Sequence, residues 1–198
     1  MELLIATRNR KKFKEIKDLL KKNVLRTFSL ADFPGLPKIK ETGATFKANA
    51  EKKAREISRL TRKLTLGEDS GLCVDALKGA PGVFSSRFAG KQKSDEDNNN
   101  KLLRLLKSLP LAKRKAHYVC AVAIAYKGKI LKTVEGRCSG LIGFKRQGTS
   151  GFGYDPLFII PRYKKTFGQL GLKIKHKMSH RSKAIKKLKK YLSCLKFK

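Results

Sequence analysis

The chain has 198 residues and carries 48 Lys and Arg against 15 Asp and Glu, a formal net charge of +33. One full hydrophobic core fits this length, and no linker, repeat or change of composition divides the sequence, so we predict a single domain over residues 1–198. The apolar run from Met1 to Ala6 is too short for a signal peptide or a membrane span, and no later segment reaches the necessary length. We therefore expect a soluble, cytoplasmic protein without a membrane partner.

The positive charge is compatible with a nucleic-acid partner, because Lys and Arg side chains that neutralise phosphates release counterions. The excess is spread over the whole chain, however, and is mostly lysine, with 35 Lys against 13 Arg. Bidentate phosphate contacts and base reading favour arginine. We therefore do not expect nucleic acid as a specific partner, and a basic field would instead attract small polyanions such as nucleoside triphosphates.

The first predicted elements are a strand, a loop and a helix. The run from Leu3 to Ala6 is typical of a buried strand, and apolar residues then recur at helical spacing from Phe13 to Leu20, with Asn9 as a candidate N-cap. Thr7, Asn9 and Lys12 surround this helix N-terminus, where a phosphate commonly meets backbone N–H groups and the positive end of the helix dipole. The alternative is an ordinary capped helix with surface lysines.

Two further helices are predicted in the first half of the chain. The second has an apolar face from Phe46 to Ile57, whereas Asn49 and Lys53 share another face. The third follows Ser94 and has three acidic residues in its first turn, which suits the helix dipole. Its predicted apolar stripe is Leu102, Leu105, Leu106 and Leu109.

Two adjacent acidic residues, Glu68 and Asp69, stand out in a chain with so few carboxylates. Apolar runs precede and follow them, and Gly67 and Gly71 flank them, so we predict that the pair lies at a strand end or at a break between two strands. Their hard oxygens suit Mg2+, and one of them could instead accept a proton from water. The alternative is a charged turn between two strands.

The sequence between His117 and Ile142 predicts two or three strands. One covers residues 118–126, Lys127-Gly128 forms a tight turn, and residues 130–134 pair back on the first. An apolar strand over residues 157–160 follows later in the chain. The mixture of helices and strands predicts an α/β fold.

A glycine-rich segment from Gly148 to Pro156 precedes that last strand and contains three glycines, two aromatic residues and one acid. Glycine permits close approach of the backbone, and an aromatic ring here could stack on a planar ligand. Because Phe and Tyr are also ordinary core residues, a purely structural role is equally open.

The last predicted helix begins at about Ser179, its expected N-cap, and has His180 and Arg181 in its first turn. Cations at this end oppose the helix dipole, so their position suggests that both side chains point at an electron-rich ligand. Two solvated side chains are the alternative. The residues expected to face inward are Ala184, Leu188, Tyr191, Leu192 and Leu195.

The cysteines and histidines do not indicate a disulfide or a zinc site. Cys73, Cys120 and Cys138 lie in strand-like runs, and Cys194 is far from all three, so we expect reduced, buried thiols. The three histidines do not complete a zinc pattern with them. A metal in this chain would therefore be held by oxygen.

Six segments, in this order, resemble motifs of the Ham1/RdgB family of inosine and xanthosine triphosphate pyrophosphatases. They are TRNRKK (7–12), ETGATFKANAEKKA (41–54), GEDSGL (67–72), GAPGVFSSRFAG (79–90), GFGYDP (151–156) and SHR (179–181). The resemblance implies an ITPase-like α/β fold of the Ham1/Maf type, with two lobes around a long mixed central sheet, a nucleotide cleft and a homodimer. It implies hydrolysis of dITP, ITP or XTP to the monophosphate and pyrophosphate with Mg2+ as cofactor.

The resemblance also implies roles for individual residues. The implied phosphate-binding residues are Thr7, Asn9, Lys12 and Lys53. The other implied substrate contacts are Arg8, Arg10, Lys11, Ser70, Phe152, Gly153, Tyr154, Asp155, Lys175, His180 and Arg181. The implied metal ligands are Glu41, Glu68 and Asp69, and Asp69 is also the implied base that activates water.

The base of the nucleotide would be read by stacking and hydrogen bonds. Phe152 would stack on the purine, while Asp155, Lys175, His180 and Arg181 would read its edge. As donors, His180 and Arg181 would favour the 6-oxo group of hypoxanthine and xanthine over the amino group of adenine. Guanine also has a 6-oxo group, so its rejection is not explained. The basic run over residues 173–177 leaves the choice between Lys175 and Lys177 open.

Two other functions stay open at this point. A Maf-like pyrophosphatase would act on methylated or pyrimidine triphosphates instead. A basic nucleic-acid-binding protein on a lapsed enzyme fold would bind RNA in a salt-dependent way without turnover.

Overall fold

The structure is a computed structural model, and it describes residues 2–20, 26–90 and 94–194. Its strands are β1 (Glu2–Ile5), β2 (Arg26–Ser29), β3 (Thr65–Val74), β4 (Lys115–Tyr126), β5 (Lys129–Ile142), β6 (Phe158–Ile160) and β7 (Lys165–Thr166). Its helices are α1 (Arg10–Leu20), α2 (Phe46–Thr61), α3 (Asp95–Leu105), α4 (Phe167–Met178) and α5 (His180–Cys194). None of these described helices combines the length and the apolar character that crossing a membrane would require.

The described strands form one seven-stranded sheet in the order β2-β1-β3-β4-β5-β6-β7. Strand β1 runs parallel to β2 and β3, whereas β6 runs antiparallel to β5 and β7. The sheet is therefore mixed, and the predicted α/β class with a long mixed sheet is confirmed.

The chain divides into two compact units. Unit 1 comprises Met1–Asp69, Cys120–Gly136 and His180–Lys198, and unit 2 comprises Ser70–Val119 and Arg137–Ser179. Strands β3, β4 and β5 contribute residues to both units. That the chain is one domain stays a prediction.

Unit 1 has helices on both faces of its strands, because the residues of β1 alternate between two apolar clusters. Leu3 and Ile5 pack with residues of α1 and α5. Leu4 packs on the opposite side with Ile57 of α2. This alternation follows from the two-residue period of a strand. The side chains in the unit 1 part of β3, from Thr65 to Asp69, consequently face either α1 and α5 or α2.

Unit 2 has a core built around aromatic residues. Tyr118 of β4 lies against Phe158 of β6, with the ring centroids 4.6 Å apart. Phe158 in turn stacks on Phe167 of α4 at 5.5 Å. Leu102 and Leu106 from the α3 region pack against the same cluster. Aromatic pairs at such distances add to the stabilisation from burial alone.

Several local predictions are confirmed. The Asn9 Oδ1 atom accepts a hydrogen bond from the Lys12 N–H at 3.0 Å, which makes Asn9 the N-cap of α1. Ser94 and Asp97 form a reciprocal capping box at the start of α3. Lys127 and Gly128 both have positive φ, 47° and 80°, as a tight turn between two strands requires.

Other local predictions are wrong. Glu68 and Asp69 do not lie at a strand end or a break, because β3 runs through them from Thr65 to Val74. A strand interior tolerates both carboxylates since nearby cations neutralise them, as described below. Leu105, the last residue of α3, is 46% exposed, whereas Leu102 and Leu106 of the predicted stripe are buried and Leu109 packs against the same cluster. Leu195 lies outside the described residues.

Candidate active site

The two carboxylates of β3 point to opposite faces of the strand and meet different partners. Glu68 contacts residues of α1 and α5, whereas Asp69 contacts residues of α2. This division follows from the alternation of side chains along a strand. The adjacent acids therefore form two separate ionic groups within unit 1.

Gly67 brings α2 close to β3 and so positions the partners of Asp69. A Cβ atom at residue 67 would lie 2.1 Å from the Ala50 carbonyl oxygen, so no other residue fits without moving the helix. Asn49 and Lys53, one turn apart on α2, reach the Asp69 carboxylate from this close approach. The predicted polar face of α2, with Asn49 and Lys53, therefore lies against the Asp69 carboxylate of β3.

Asp69 is buried among polar partners. Asn49 Nδ2 donates to Asp69 Oδ2 at 3.0 Å, and Lys53 Nζ lies 3.7 Å from Asp69 Oδ1. The same ammonium group pairs with Glu41 Oε1. Burial raises the pKa of the Asp69 carboxyl above its ordinary value, although Lys53 and Lys12 oppose the shift. A carboxylate that is fixed in orientation and more basic than usual can accept a proton from water.

Glu68 belongs to a buried chain of alternating charges. Its Oε2 atom lies 3.0 Å from Lys12 Nζ, and its Oε1 atom accepts a hydrogen bond from Arg181 Nη2 at 2.8 Å. Arg181 Nη1 donates at 2.6 Å to Glu15, which is 166 positions away in the chain. Burial lowers the pKa of Lys12, but the carboxylates of Glu68 and Asp69 together outweigh burial, so the pKa is raised above its ordinary value. Each of the four groups is paired with at least one group of opposite charge.

The Arg181 guanidinium group at the start of α5 has protein partners that the sequence did not predict. Arg181 is 1% exposed, and two of its guanidinium nitrogens donate to the carboxylates of Glu15 and Glu68. The electron-rich partner that the helix-dipole argument requires is therefore present within the protein. Arg181 holds Glu68 in place, while its predicted contact with the base stays a prediction.

Cys120 of β4 is a further partner of Glu68 that sequence reasoning missed. Its Sγ atom lies 3.4 Å from Glu68 Oε1. Burial raises the pKa of this thiol well above its ordinary value, and the neighbouring Glu68 carboxylate raises it further. The side chain is therefore a neutral S–H donor to the carboxylate.

Hydrogen bonds within the protein hold the loop before α1. The Asn9 N–H donates to Thr7 Oγ1 at 3.1 Å, so Thr7 and Asn9 fix the turn into the helix. Arg8, Asn9, Arg10 and Lys11 are exposed around the first turn. Arg8 donates to the Leu36 carbonyl at 2.7 Å. With Lys12 beside them, the N–H groups of this helix end suit an anion.

Three of the residues predicted to bind a purine, Phe152, Asp155 and Lys175, come together within unit 2. Lys175 Nζ donates at 2.7 Å to Asp155 Oδ2, which also accepts from the Phe152 N–H at 2.9 Å. The same ammonium group lies 4.7 Å from the centroid of the Phe152 ring. Gly151, with φ of +85°, leaves room for the carboxylate, since a Cβ atom there would lie 2.0 Å from Asp155 Oδ2. Lys175 is buried in this cluster, whereas Lys177 is exposed.

Helix α3 fixes the loop that carries Phe152, a role that sequence reasoning missed. Asp95 Oδ2 accepts from the Gly153 N–H at 2.8 Å, and Asn99 Nδ2 donates to the Gly153 carbonyl at 2.9 Å. The neighbouring Tyr154 hydroxyl donates to the Ser85 carbonyl at 2.8 Å. Two consecutive buried asparagines in a helix, Asn98 and Asn99, are the sequence signal, because asparagine is a poor helix former.

His180 and Ser70 are the remaining predicted substrate contacts. His180 is buried at the start of α5, in unit 1. Ser70 is half-buried on β3, in unit 2. Their predicted contacts with substrate stay predictions.

The predicted metal ligands have the right donor chemistry but are not gathered into one cluster. Among residues 2–20, 26–90 and 94–194, no group of three or more His, Cys, Asp or Glu is placed to hold a metal ion. Glu41 and Asp69 both face the Lys53 ammonium group, so these two carboxylates share one cation. Mg2+ is commonly held by one or two carboxylates together with substrate phosphates and waters. Glu41 and Asp69 fit that requirement, and Glu68 as a ligand stays a prediction.

Comparison with known proteins agrees with the motif assignment. The model of the Ham1 family matches residues 3–191 of the chain. The chain belongs to the Ham1 family. A dITP/XTP pyrophosphatase of Desulforamulus reducens is 48% identical over 98% of this chain and 97% of that protein.

Solved structures of family members share the fold. A HAM1 protein from Coxiella burnetii is 35% identical and superposes with a TM-score of 0.88 over 98% of both chains. A nucleoside-triphosphatase and dITP/XTP pyrophosphatase from Mycobacterium abscessus is 39% identical, with a TM-score of 0.77 over 95% of this chain and 98% of that one. These proteins are named as a HAM1 protein and a dITP/XTP pyrophosphatase, in agreement with the family that the motifs resemble.

Proposed function

We propose that this protein hydrolyses non-standard purine nucleoside triphosphates, namely dITP, ITP and XTP, to the monophosphate and pyrophosphate. The chain is an enzyme of the Ham1 family and a nucleoside triphosphate pyrophosphatase, as its relatives over nearly the full length are named. The choice of purine, the products and the use of Mg2+ belong to the proposal. The observation that carries it is the buried Asp69 carboxylate, held by Asn49 and Lys53 on strand β3, which pairs with β1 just before the loop that leads into α1.

The residues of unit 1 supply what attack on a triphosphate requires. The N-terminus of α1 and Lys12 would bind the phosphates, and Lys53 would neutralise further charge. Asp69 would accept the proton of the attacking water, and the hydrogen bond from Asn49 keeps its carboxylate in one orientation. Glu41 and Asp69 would hold Mg2+, which when bound neutralises phosphate charge in the transition state.

The residues of unit 2 supply purine recognition. Phe152 would stack on the ring, as aromatic side chains do with any base. Lys175 would donate to the 6-oxo group, where adenine has an amino group that cannot accept. Because Asp155 orders both Lys175 and the Phe152 backbone, one carboxylate would position the stacking and the donating group together.

The test is a product analysis. Purified protein with Mg2+ should release pyrophosphate, and not orthophosphate, from ITP, dITP and XTP, with much lower kcat/KM for ATP. A preference for methylated or pyrimidine triphosphates would favour the Maf-like alternative. Orthophosphate as the first product would contradict the proposal.

A further inference from the structure

The net charge of +33 is not needed for the chemistry of Asp69, but the structure concentrates part of it on one surface of unit 1. Every exposed residue of α1 is basic, and so is every exposed residue of α5 up to Lys190. We call these eight side chains the basic face. They are Arg10, Lys11, Lys14, Lys17, Lys183, Lys186, Lys187 and Lys190.

The two helices of the basic face are packed side by side. Arg181 of α5 donates to Glu15 of α1, and eight residues further along α5 Lys189 Nζ donates to the Leu19 carbonyl at 3.1 Å. Both helices bury their apolar side against the same cluster. Their solvent-exposed sides therefore form one continuous surface.

The basic face lacks exposed negative charge. Within these two fully described helices the acidic residues are Glu15, which is buried, and Asp18, which is half-buried. Helix α3 provides a contrast, because its exposed positions combine Asp95 and Glu96 with Asn100 and Arg104. Like charges three and four residues apart on a helix destabilise it by about 0.2–0.5 kcal/mol per pair. Bound anions that span successive turns would relieve this repulsion.

We propose that the basic face binds the phosphodiester backbone of double-stranded nucleic acid without sequence preference. On α5 a lysine recurs at every turn, so positive charges repeat about every 5.4 Å along the axis. A duplex offers a comparably regular line of phosphates, and each neutralised phosphate releases counterions. Lysine contributes point charges and not the bidentate fork that reads bases, so the contact is to the backbone.

The side chains of α1 and α5 favour a duplex over two other anionic partners. An amphipathic helix on a lipid surface needs large apolar anchors, and none of the exposed large apolar residues of the described chain belongs to α1 or α5. A single strand is held by aromatic stacking platforms. Phe13 and Tyr191 of these helices are half-buried against the core cluster. Only phosphate contacts are therefore available.

The test compares two variants that lose the same charge. In the first, Lys14, Lys17, Lys186 and Lys190 of the basic face become Gln, which has a similar helix propensity. In the second, the exposed residues Lys107, Lys113, Lys129 and Lys145, all outside the basic face, become Gln. None of these eight lysines belongs to the proposed catalytic or substrate-binding residues, so turnover of ITP should persist in both variants. ITP turnover in both variants therefore tests the proposed function separately from nucleic-acid binding.

Fluorescence anisotropy with labelled DNA and RNA duplexes of about 20 base pairs, titrated over salt, gives the readout. The wild type should bind both duplexes with a salt slope that the basic-face variant reduces by up to about 3.6, since each phosphate contact contributes about 0.9. We expect at least a tenfold loss of affinity in this variant and less than about threefold in the control. A loss confined to RNA or to DNA would identify which nucleic acid the face fits.

Two results would overturn the proposal. Equal losses in the two variants would show that only the overall charge matters and would overturn the proposal. Tighter binding to vesicles with anionic lipid than to either duplex would overturn it in favour of a membrane. If the fourfold variant does not fold, the double variants Lys14→Gln with Lys17→Gln and Lys186→Gln with Lys190→Gln should each show about half the change in slope.

Discussion

Unit 1 and unit 2 bury charged groups in different ways. In unit 1, Glu15, Arg181, Glu68 and Lys12 form a chain of alternating charges, and Glu41, Lys53 and Asp69 form a second group beside it. In unit 2, the predicted purine-binding cluster contains one ion pair, Lys175 with Asp155, against aromatic rings. The charged groups of unit 1 hold one another in place. In unit 2 the ion pair positions the Phe152 ring and the Lys175 ammonium group.

The difference matches two physical tasks. Hydrolysis of a triphosphate needs charges that are already in place when negative charge shifts in the transition state. Recognition of a neutral purine needs stacking and a few directed hydrogen bonds. We therefore expect changes in unit 1 to reduce kcat or to unfold the protein, and changes in unit 2 to raise KM.

The largest expected effect is that of Asp69→Asn. The substitution keeps the shape of the side chain but removes the proton acceptor, so kcat should fall about 100- to 10,000-fold. The free energy of unfolding should hold or rise, because a buried charge is removed. Steady-state kinetics over a range of Mg2+ concentrations and urea unfolding measure both quantities. Near-normal kcat at every Mg2+ concentration would place the base elsewhere.

The second effect concerns stability. Arg181→Ala leaves Glu15 and Glu68 as buried carboxylates that lose their shared cation, so the free energy of unfolding should fall by about 3–5 kcal/mol. This reverses the expectation from the helix dipole alone, which predicts unchanged or higher stability. Lys186→Ala, at an exposed position of the same helix, is the matched control and should change stability by less than about 0.5 kcal/mol.

A stable Arg181→Ala protein with an altered ratio of ITP to ATP turnover would support the earlier interpretation of Arg181 as a base-reading residue. Chemical denaturation of both variants, followed by kinetics with the two substrates, separates these roles. The result also tests whether the charge network of unit 1 is structural or contacts substrate.

The sequence predicted the local features of the site better than its ionic connections. The N-cap at Asn9, the polar face with Asn49 and Lys53, and the loop around Phe152 depend on neighbouring residues and on periodicity, so they were accessible. The pairing of Glu15 with Arg181 joins opposite ends of the chain. No local pattern encodes such a contact.

The same limit explains the wrong placement of Glu68 and Asp69. Two acids flanked by glycines are typical of a turn, because a strand interior normally excludes charge. The strand continues since Arg181, Lys12, Lys53 and Asn49 approach from both of its faces. Helix α4 and strands β2 and β7 were not predicted, as their short or interrupted apolar patterns do not identify an element on their own.

A smaller effect is expected at the support of the purine loop in unit 2. Asn99→Ala removes the donor to the Gly153 carbonyl, so Phe152 should be held less firmly and the KM for ITP should rise roughly three- to tenfold. Asn98→Ala is the matched control, because this equally buried asparagine contacts Ala89 and Ser86 instead. The two variants should lose similar stability, but only Asn99→Ala should raise KM. Equal KM values would show that helix α3 has no positioning role.

The smallest effect is the pH dependence that Asp69 gives to stability in the absence of metal. Because burial raises the pKa of Asp69 above its ordinary 3.8, the folded protein binds more protons than the unfolded chain as pH rises from 3.8 to the folded value. The free energy of unfolding contributed by this group therefore falls as pH rises through that window and stays lower above it. The Asp69→Asn variant lacks this pH-dependent contribution to stability. Its melting temperature should therefore rise relative to that of the wild type as pH increases. Thermal unfolding with a chelator present measures it. A difference that shrinks with increasing pH would mean that Lys53 and Lys12 outweigh burial and that Asp69 is a weaker base than the structure indicates.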